Sequence, residues 1–221
     1  MRIWVTRAQP QAAATAARLG ALGHEAIVAP VIETRPVAFG LDEFADIGAL
    51  AVTSQAAVAA LAPFVSKLCA LPVYAVGDAT AQAAREAGFD RADSAAGRVS
   101  DLVDLILSAP IQGTILHACA REPAGDLVGD LMRSARPARR LVVYETVPLT
   151  AAMIPGQIDA VMIHSAQAAR AVAEMILPHQ AEPLGLYGLS TDVVLPLKRF
   201  NFAKIVVAPF ANEQSILNLL A

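Results

Sequence analysis

Four short turns in this sequence put small polar residues where a strand hands over to a helix: Thr53-Ser54, Gly77 with Thr80, Ser165, and Ser190-Thr191. In a parallel sheet that handover lies at the carboxyl edge, where open α/β sheets bind their ligands. A Ser or Thr there accepts from the first free N–H groups of the helix. The remaining N–H groups and the positive end of the helix dipole suit an anion. Helix capping alone accounts for any single one of these residues. Four of them, two in each half of the chain, point to a ligand with several carboxylates, bound chiefly by main-chain donors. Arg7 and Arg121 follow the apolar stretches IWVT and ILHACA, where a guanidinium can reach such a carboxylate or simply pair with a nearby acid. Tyr144 stands in a β-branched run, and its phenol can donate a hydrogen bond or a proton to a leaving group. A half-buried strand tyrosine is the simpler reading of that residue taken alone.

The elements that must hold these residues alternate strand and helix from end to end. RIWVT, Ala26–Thr34, ALAV, Val73–Val76, Thr114–His117, Leu141–Thr146, Ala160–Ile163, Leu184–Tyr187 and Ile205–Val207 read as strands. Ala- and Leu-rich helices lie between them, and residues 91–97 read as a loop. Such alternation predicts parallel sheets covered by helices on both faces.

The pattern also repeats. Val5-Thr6-Arg7 is answered by Cys119-Ala120-Arg121, Glu33-Thr34 by Glu145-Thr146, Thr53-Ser54 by His164-Ser165, and Gly77 with Thr80 by Gly188 with Thr191. Two extended stretches, Ile32–Pro36 and Tyr144–Pro148, each close a β-branched run and end at a proline, which cannot donate to a ladder. They are expected to be paired connectors, residues 33–37 and 144–148, over a ligand cleft. One domain is then continuous, residues 38–143. The other is discontinuous, residues 1–32 with 149–221.

The totals exclude several classes. Among 221 residues, 17 are basic and 20 acidic, a net charge of −3, which is no electrostatic footprint for nucleic acid. Hydrophobic residues make up 56%, yet no apolar run approaches the 18–20 or so residues needed to cross a bilayer. The start, MRIWVTR, reads as a strand and not as a targeting segment, so the expected location is the cytoplasm. Cys69 and Cys119 are too few for a disulfide framework or a zinc site and read as small buried hydrophobes. There is no GxGxxG after the first strand, no GxxxxGK[ST], no HExxH and no GxSxG, so nucleotide, metalloprotease and elbow-hydrolase chemistry lack support.

Taken in order, these segments resemble the uroporphyrinogen-III synthase family. The resemblance runs along almost the whole chain. It is carried by VTR at Val5–Arg7, AVTS with Ala57-Val58, AVGDATAQAAREAGF from Ala75 to Phe89, VVYETVP from Val142 to Pro148, IHSAQAA and GLSTDVV. It implies two parallel-sheet α/β domains joined by a two-stranded β-ladder, with the ligand cleft between them. It implies a cofactor-free cyclising lyase; no clustered Cys/His metal spacing occurs in the sequence, and nothing in it demands more than a monomer. Its substrate would be the linear tetrapyrrole hydroxymethylbilane, which carries eight carboxylates, and its product uroporphyrinogen III. Carried over by motif, Tyr144 corresponds to the tyrosine that assists departure of the hydroxyl, and Arg7, Ser54, Thr80, Arg121, Ser165 and Thr191 to positions lining the substrate. The chain departs from the family pattern at Ala8, where proline is common, at Ala56, where asparagine is usual, and at Gly125-Asp126, where a second basic residue often stands. The competing reading is a non-catalytic two-domain binder of a small anion.

Overall fold

The computed structural model describes residues 1–220. The strands are β1 (Arg2–Val5), β2 (Glu25–Val28), β3 (Ile32–Pro36), β4 (Ile47–Val52), β5 (Val73–Ala75), β6 (Ala92–Ser94), β7 (Thr114–Ala120), β8 (Ala138–Pro148), β9 (Ala160–Ile163), β10 (Gly185–Gly188) and β11 (Lys204–Val207). The α-helices are α1 (Gln11–Ala21), α2 (Gln55–Leu61), α3 (Val65–Leu68), α4 (Asp78–Ala87), α5 (Val99–Ser108), α6 (Leu127–Arg133), α7 (Ala166–Met175), α8 (Pro178–Ala181), α9 (Thr191–Val194) and α10 (Glu213–Leu217). The chain divides into two compact units, Met1–Thr34 with Thr146–Ala221, and Arg35–Glu145. It leaves the first unit inside β3 and returns inside β8.

The first unit holds a sheet of order β11-β10-β9-β1-β2, all of its pairs parallel. Side chains alternate across it with the two-residue period of a strand. Trp4, Val161, Ile163 and Leu186 pack on one face beneath Ala168, Ala169 and Val172 of α7. Ile3, Val5, Ala160, Met162 and Tyr187 pack on the other beneath Ala12 and Leu19 of α1 and Ile216 of α10. The indole N–H of Trp4 donates to the Ala29 carbonyl at 2.7 Å, which fixes the turn leaving β2.

The second sheet has the order β3-β8-β7-β4-β5-β6. Its β4, β5, β6, β7 and β8 pairings are parallel. At the edge, Val37 N–H donates to Val143 and Leu149 N–H to Val31, so numbers rise on one strand as they fall on the other and β3 runs antiparallel to β8. Leu50, Val52, Leu116, Ala118, Leu141 and Val143 face α2 and α4, while Ala49, Ala51, Tyr74 and Ile115 face α5 and α6. The order β6-β5-β4-β7-β8 matches β11-β10-β9-β1-β2 strand for strand, which is the sequence repeat written in topology.

Two sequence expectations are corrected here. Ala26–Thr34 is two strands: Pro30 has no N–H for a ladder, so β2 ends at Val28 and β3 begins at Ile32 in the other sheet. The loop expected at residues 91–97 contains the edge strand β6, whose Asp93 and Ser94 give no apolar alternation because an edge strand need not be buried on both faces.

Gly48 fits the only residue size its position allows. The β4–β7 register steps from Ile47↔Thr114 to Ala49↔Ile115 and passes over Gly48, and a Cβ there would overlap the backbone carbonyl of Gln112. Backbone does not yield as a flexible side chain does. Gly48→Ala is expected to cost about 1–3 kcal/mol, read as a lower urea midpoint at unchanged slope. A midpoint equal to wild type would contradict that register.

Candidate functional site

In the unit Arg35–Glu145, the site begins with a bulge. Cys119 pairs with Val142 but Ala120 pairs with Tyr144, so β8 carries one extra residue, Val143. A bulge turns the following side chain onto the face it would otherwise have missed. Val143 is buried against Leu50, Val52 and Ala118, and Tyr144 packs against that same cluster. Ser54 continues the same face beyond Val52 of β4. Tyr144 Oη and Ser54 Oγ are consequently 2.9 Å apart.

Ser54 is the N-cap of α2, with extended backbone (φ −155°, ψ 151°), and its Oγ accepts from Ala57 N–H at 3.1 Å. No acidic residue occupies the first turn of α2. Burial pushes the Tyr144 phenol above the ordinary tyrosine range, opposed by the Ser54 hydrogen bond. The phenol is therefore protonated at neutral pH and available as a donor.

Beside it, Thr53 Oγ1 lies 3.5 Å from Nε2 of His117, which is buried at the centre of β7. Burial, and the charge of Arg140, lower the His117 pKa to about 4, so this imidazole is neutral. Gly77 caps α4 without a side chain, Asp78 stands in that helix's first turn, and Thr80 turns onto the buried face with Ala81 and Ala84. Arg121 is more than half exposed, bonded through Nε to Glu145 Oε2 at 2.7 Å, and its N–H donates to the Tyr144 carbonyl. Tyr144, Ser54 and Thr53 thus come together, and Arg121 adjoins the Tyr144 backbone. Cys119 is buried and its thiol pushed upward by that burial, which keeps it unreactive.

In the unit built on β1 and β9, Ser165 caps α7, its Oγ accepting from Ala168 N–H at 3.2 Å, again with no acid in the first turn. Ser190 caps α9 through Val193 N–H at 3.3 Å, and Thr191 is exposed beside Asp192. Arg7 is anchored by Glu213 Oε2 at 3.1 Å and Thr15 Oγ1 at 3.2 Å. Its neighbour His164 has both ring nitrogens buried and unpartnered, and burial, with Arg7 adding to it, lowers its pKa to about 4. The dipole argument favours α2 and α7 as anion sites over α4 and α9, whose first turns already carry carboxylates.

His117 and Glu213 do not stand out in the sequence. ILHACA reads as an apolar strand with one polar interruption, and a lone buried His is the usual outcome of such a pattern. For Glu213 the available signal is Asn212 immediately before it, the cap of α10 whose Oδ1 accepts from Ser215 N–H.

Duplicated parallel sheets whose strand ends open into hydroxyl-capped helices, with a protonated phenol at one of them, define an α/β protein whose polar groups gather at the carboxyl edges of its sheets. A family model described as uroporphyrinogen-III synthase HemD matches residues 13–218. The chain belongs to the uroporphyrinogen-III synthase family. Its fold is similar to the crystal structure of uroporphyrinogen-III synthetase from Helicobacter pylori, with TM-score 0.72 and 18% identity over 99% of this chain and 97% of that one. It is also similar to a mutant uroporphyrinogen III synthase from Thermus thermophilus, with TM-score 0.56 and 17% identity over 99% and 96% of the two chains. At those identities the structural likeness is one of fold, and the family rests on the sequence match. No curated protein matches the chain significantly.

Proposed function

We propose that this chain cyclises hydroxymethylbilane to uroporphyrinogen III with Tyr144 as the hydrogen-bond donor to the departing hydroxyl. The observation that carries this reading is the 2.9 Å contact of Tyr144 Oη with the cap of α2, on a phenol that burial keeps protonated. In the reaction the terminal carbon–oxygen bond breaks and the hydroxyl leaves as water. The azafulvene so formed is attacked by the substituted α-carbon of the last pyrrole to give a spiro intermediate. The older bond from that carbon to its methylene then breaks, the methylene bonds to the ring's free α-carbon, and that carbon loses its proton, which closes the macrocycle with the last ring inverted. A protonated phenol assists only the first step. The later selectivity is an orientation problem, for which fixed main-chain donors are suited because they cost no reorganisation.

Ser54 and Thr53 at α2, Ser165 at α7, Gly77 with Thr80 at α4 and Ser190-Thr191 at α9 are the proposed holders of the substrate's carboxylates, with Arg7 and Arg121 as the side-chain cations. No cofactor enters the scheme. Among the described residues no helix is long and apolar enough to cross a membrane. We read the protein as a cytoplasmic monomer, for which elution at a single chain's mass under assay conditions is the check.

Gly77 offers a test in which stability and activity move in opposite directions. Its backbone is extended (φ −153°) and a Cβ there meets nothing within 4 Å, so a side chain is tolerated. Gly77→Asp supplies the missing cap and is expected to raise stability by a few tenths of a kcal/mol. The same carboxylate occupies the place proposed for a substrate carboxylate, so KM should rise about three- to tenfold. Gly77→Asp with wild-type KM would remove the start of α4 from the substrate site.

A further inference from the structure

Arg7 does not stand alone. Glu213 Oε2 takes Arg7 Nη1 at 3.1 Å and Arg18 Nη1 at 2.6 Å, while its Oε1 accepts from Thr15 Oγ1 at 2.5 Å. One carboxylate therefore ties together the loop after β1, helix α1 and the first turn of α10. The Arg7 and Glu213 side chains are 23% and 21% exposed, so this is a partly desolvated pair and not a loose surface contact. Arg18, at 54%, is the exposed member.

Two features make this more than a strut. First, the charges do not cancel: two guanidinium groups and one carboxylate leave the cluster with a net charge of +1. At neighbouring His164 the charge of Arg7, which disfavours the imidazolium, outweighs that of Glu213, which favours it. Second, Arg7 spends only Nη1 on the protein. Among the described residues its Nε and Nη2 meet no protein acceptor, and those two nitrogens form one edge of the fork that receives a carboxylate in bidentate fashion.

We infer that Glu213 is a positioning residue for substrate binding: it holds Arg7 by one nitrogen and so presents the opposite, Nε/Nη2 edge to a carboxylate of the substrate. Arg18 supports the arrangement by drawing off part of the Glu213 charge, so that Arg7 remains an effective cation. The inference rests on the reading that Arg7 contacts the substrate, and it adds the residue that fixes how.

The test is a double-mutant cycle in steady-state kinetics on enzymatically generated hydroxymethylbilane, scoring the type III product. Glu213→Gln is expected to raise KM about tenfold with kcat within about twofold, because orientation of a binding group is lost and not chemistry. In an Arg7→Ala background the same change should leave KM unaltered, since Glu213 has nothing left to orient. An equal KM increase in both backgrounds would show that Glu213 only holds α10 in place and would overturn the inference, as would a wild-type KM for Glu213→Gln. Should Glu213→Gln fail to fold, Arg18→Gln stands in, because its side chain is exposed. It is expected to raise KM about threefold, with the effect fading at about 0.5 M salt, and no change would again overturn the inference. Failure of the wild-type protein to form the type III isomer is a different result, which would remove the functional reading itself.

Discussion

Tyr144→Phe is expected to lower kcat by about 10- to 100-fold without abolishing turnover. The variant keeps the ring that packs against Leu141, Val143 and the cluster around them. It loses only the hydroxyl that sits 2.9 Å from Ser54 Oγ. General-acid assistance contributes roughly 10²–10⁴-fold where proton transfer is fully rate-determining. The expected effect lies at the low end, because a benzylic-type hydroxyl on an electron-rich pyrrole already leaves with little help. The product mixture should change as well. Linear substrate that dissociates before it reacts closes spontaneously without inversion, so a slower enzyme yields a larger share of the type I isomer. Ser54→Ala separates the two roles of the pair: it leaves the phenol in place, removes the cap of α2 at a cost of about 1 kcal/mol, and should lower kcat by less than Tyr144→Phe. Equal turnover of Tyr144→Phe and wild type would remove the phenol from the mechanism.

Acid should destabilise the protein well above the ordinary carboxylate range. His117 and His164 are both held neutral, with pKa values lowered to about 4 from the ordinary 6.5. In the unfolded chain each takes up a proton as pH falls through roughly 6.5. In the folded chain neither does so until about pH 4, because burial and the neighbouring Arg140 and Arg7 disfavour the cation. The unfolded state therefore binds more protons throughout that window. Stability is fully present above about pH 6.5 and falls toward pH 4, by up to about 1.4 kcal/mol per pH unit for each histidine. Glu213, whose pKa is lowered by Thr15, Arg7 and Arg18 against its own desolvation, adds a loss in the same direction at lower pH. Urea midpoints measured from about pH 7.5 to about pH 4.5 should stay level down to about pH 6.5 and fall below it, and His164→Gln should flatten the falling limb by about one proton. A midpoint independent of pH over that range would mean that the two imidazoles are not held neutral as their burial requires.

The sheet core is legible in the sequence because strands buried on both faces leave continuous apolar runs. RIWVT, ALAV and AVMI each map onto a central strand, and the offset copies of Ser54/Ser165 and Gly77/Gly188 anticipate two sheets of matching strand order. The caps are legible for a related reason: a Ser directly after an apolar run has one strong local use, and Ser54, Ser165 and Ser190 all accept from the N–H three residues on. What stays hidden depends on register. Nothing in LVVYET announces that Val143 is an extra residue, yet that bulge is what turns Tyr144 toward Ser54. The break at Pro30 escapes a sequence reading because Ala26–Thr34 is apolar on both sides of it, and composition does not reveal that the chain changes sheets there. Glu213 escapes for the plainest reason. It meets Arg7 across 206 residues of sequence, and a single acid after an asparagine looks like any other first-turn carboxylate.

The most direct measurement supplies the protein with hydroxymethylbilane made in situ by a coupled deaminase, oxidises the products and resolves the isomers. The expected result is that the type III isomer dominates, that it forms faster than spontaneous closure, and that its yield falls in Tyr144→Phe. Type I product alone, at the rate seen without protein, would contradict the proposed activity.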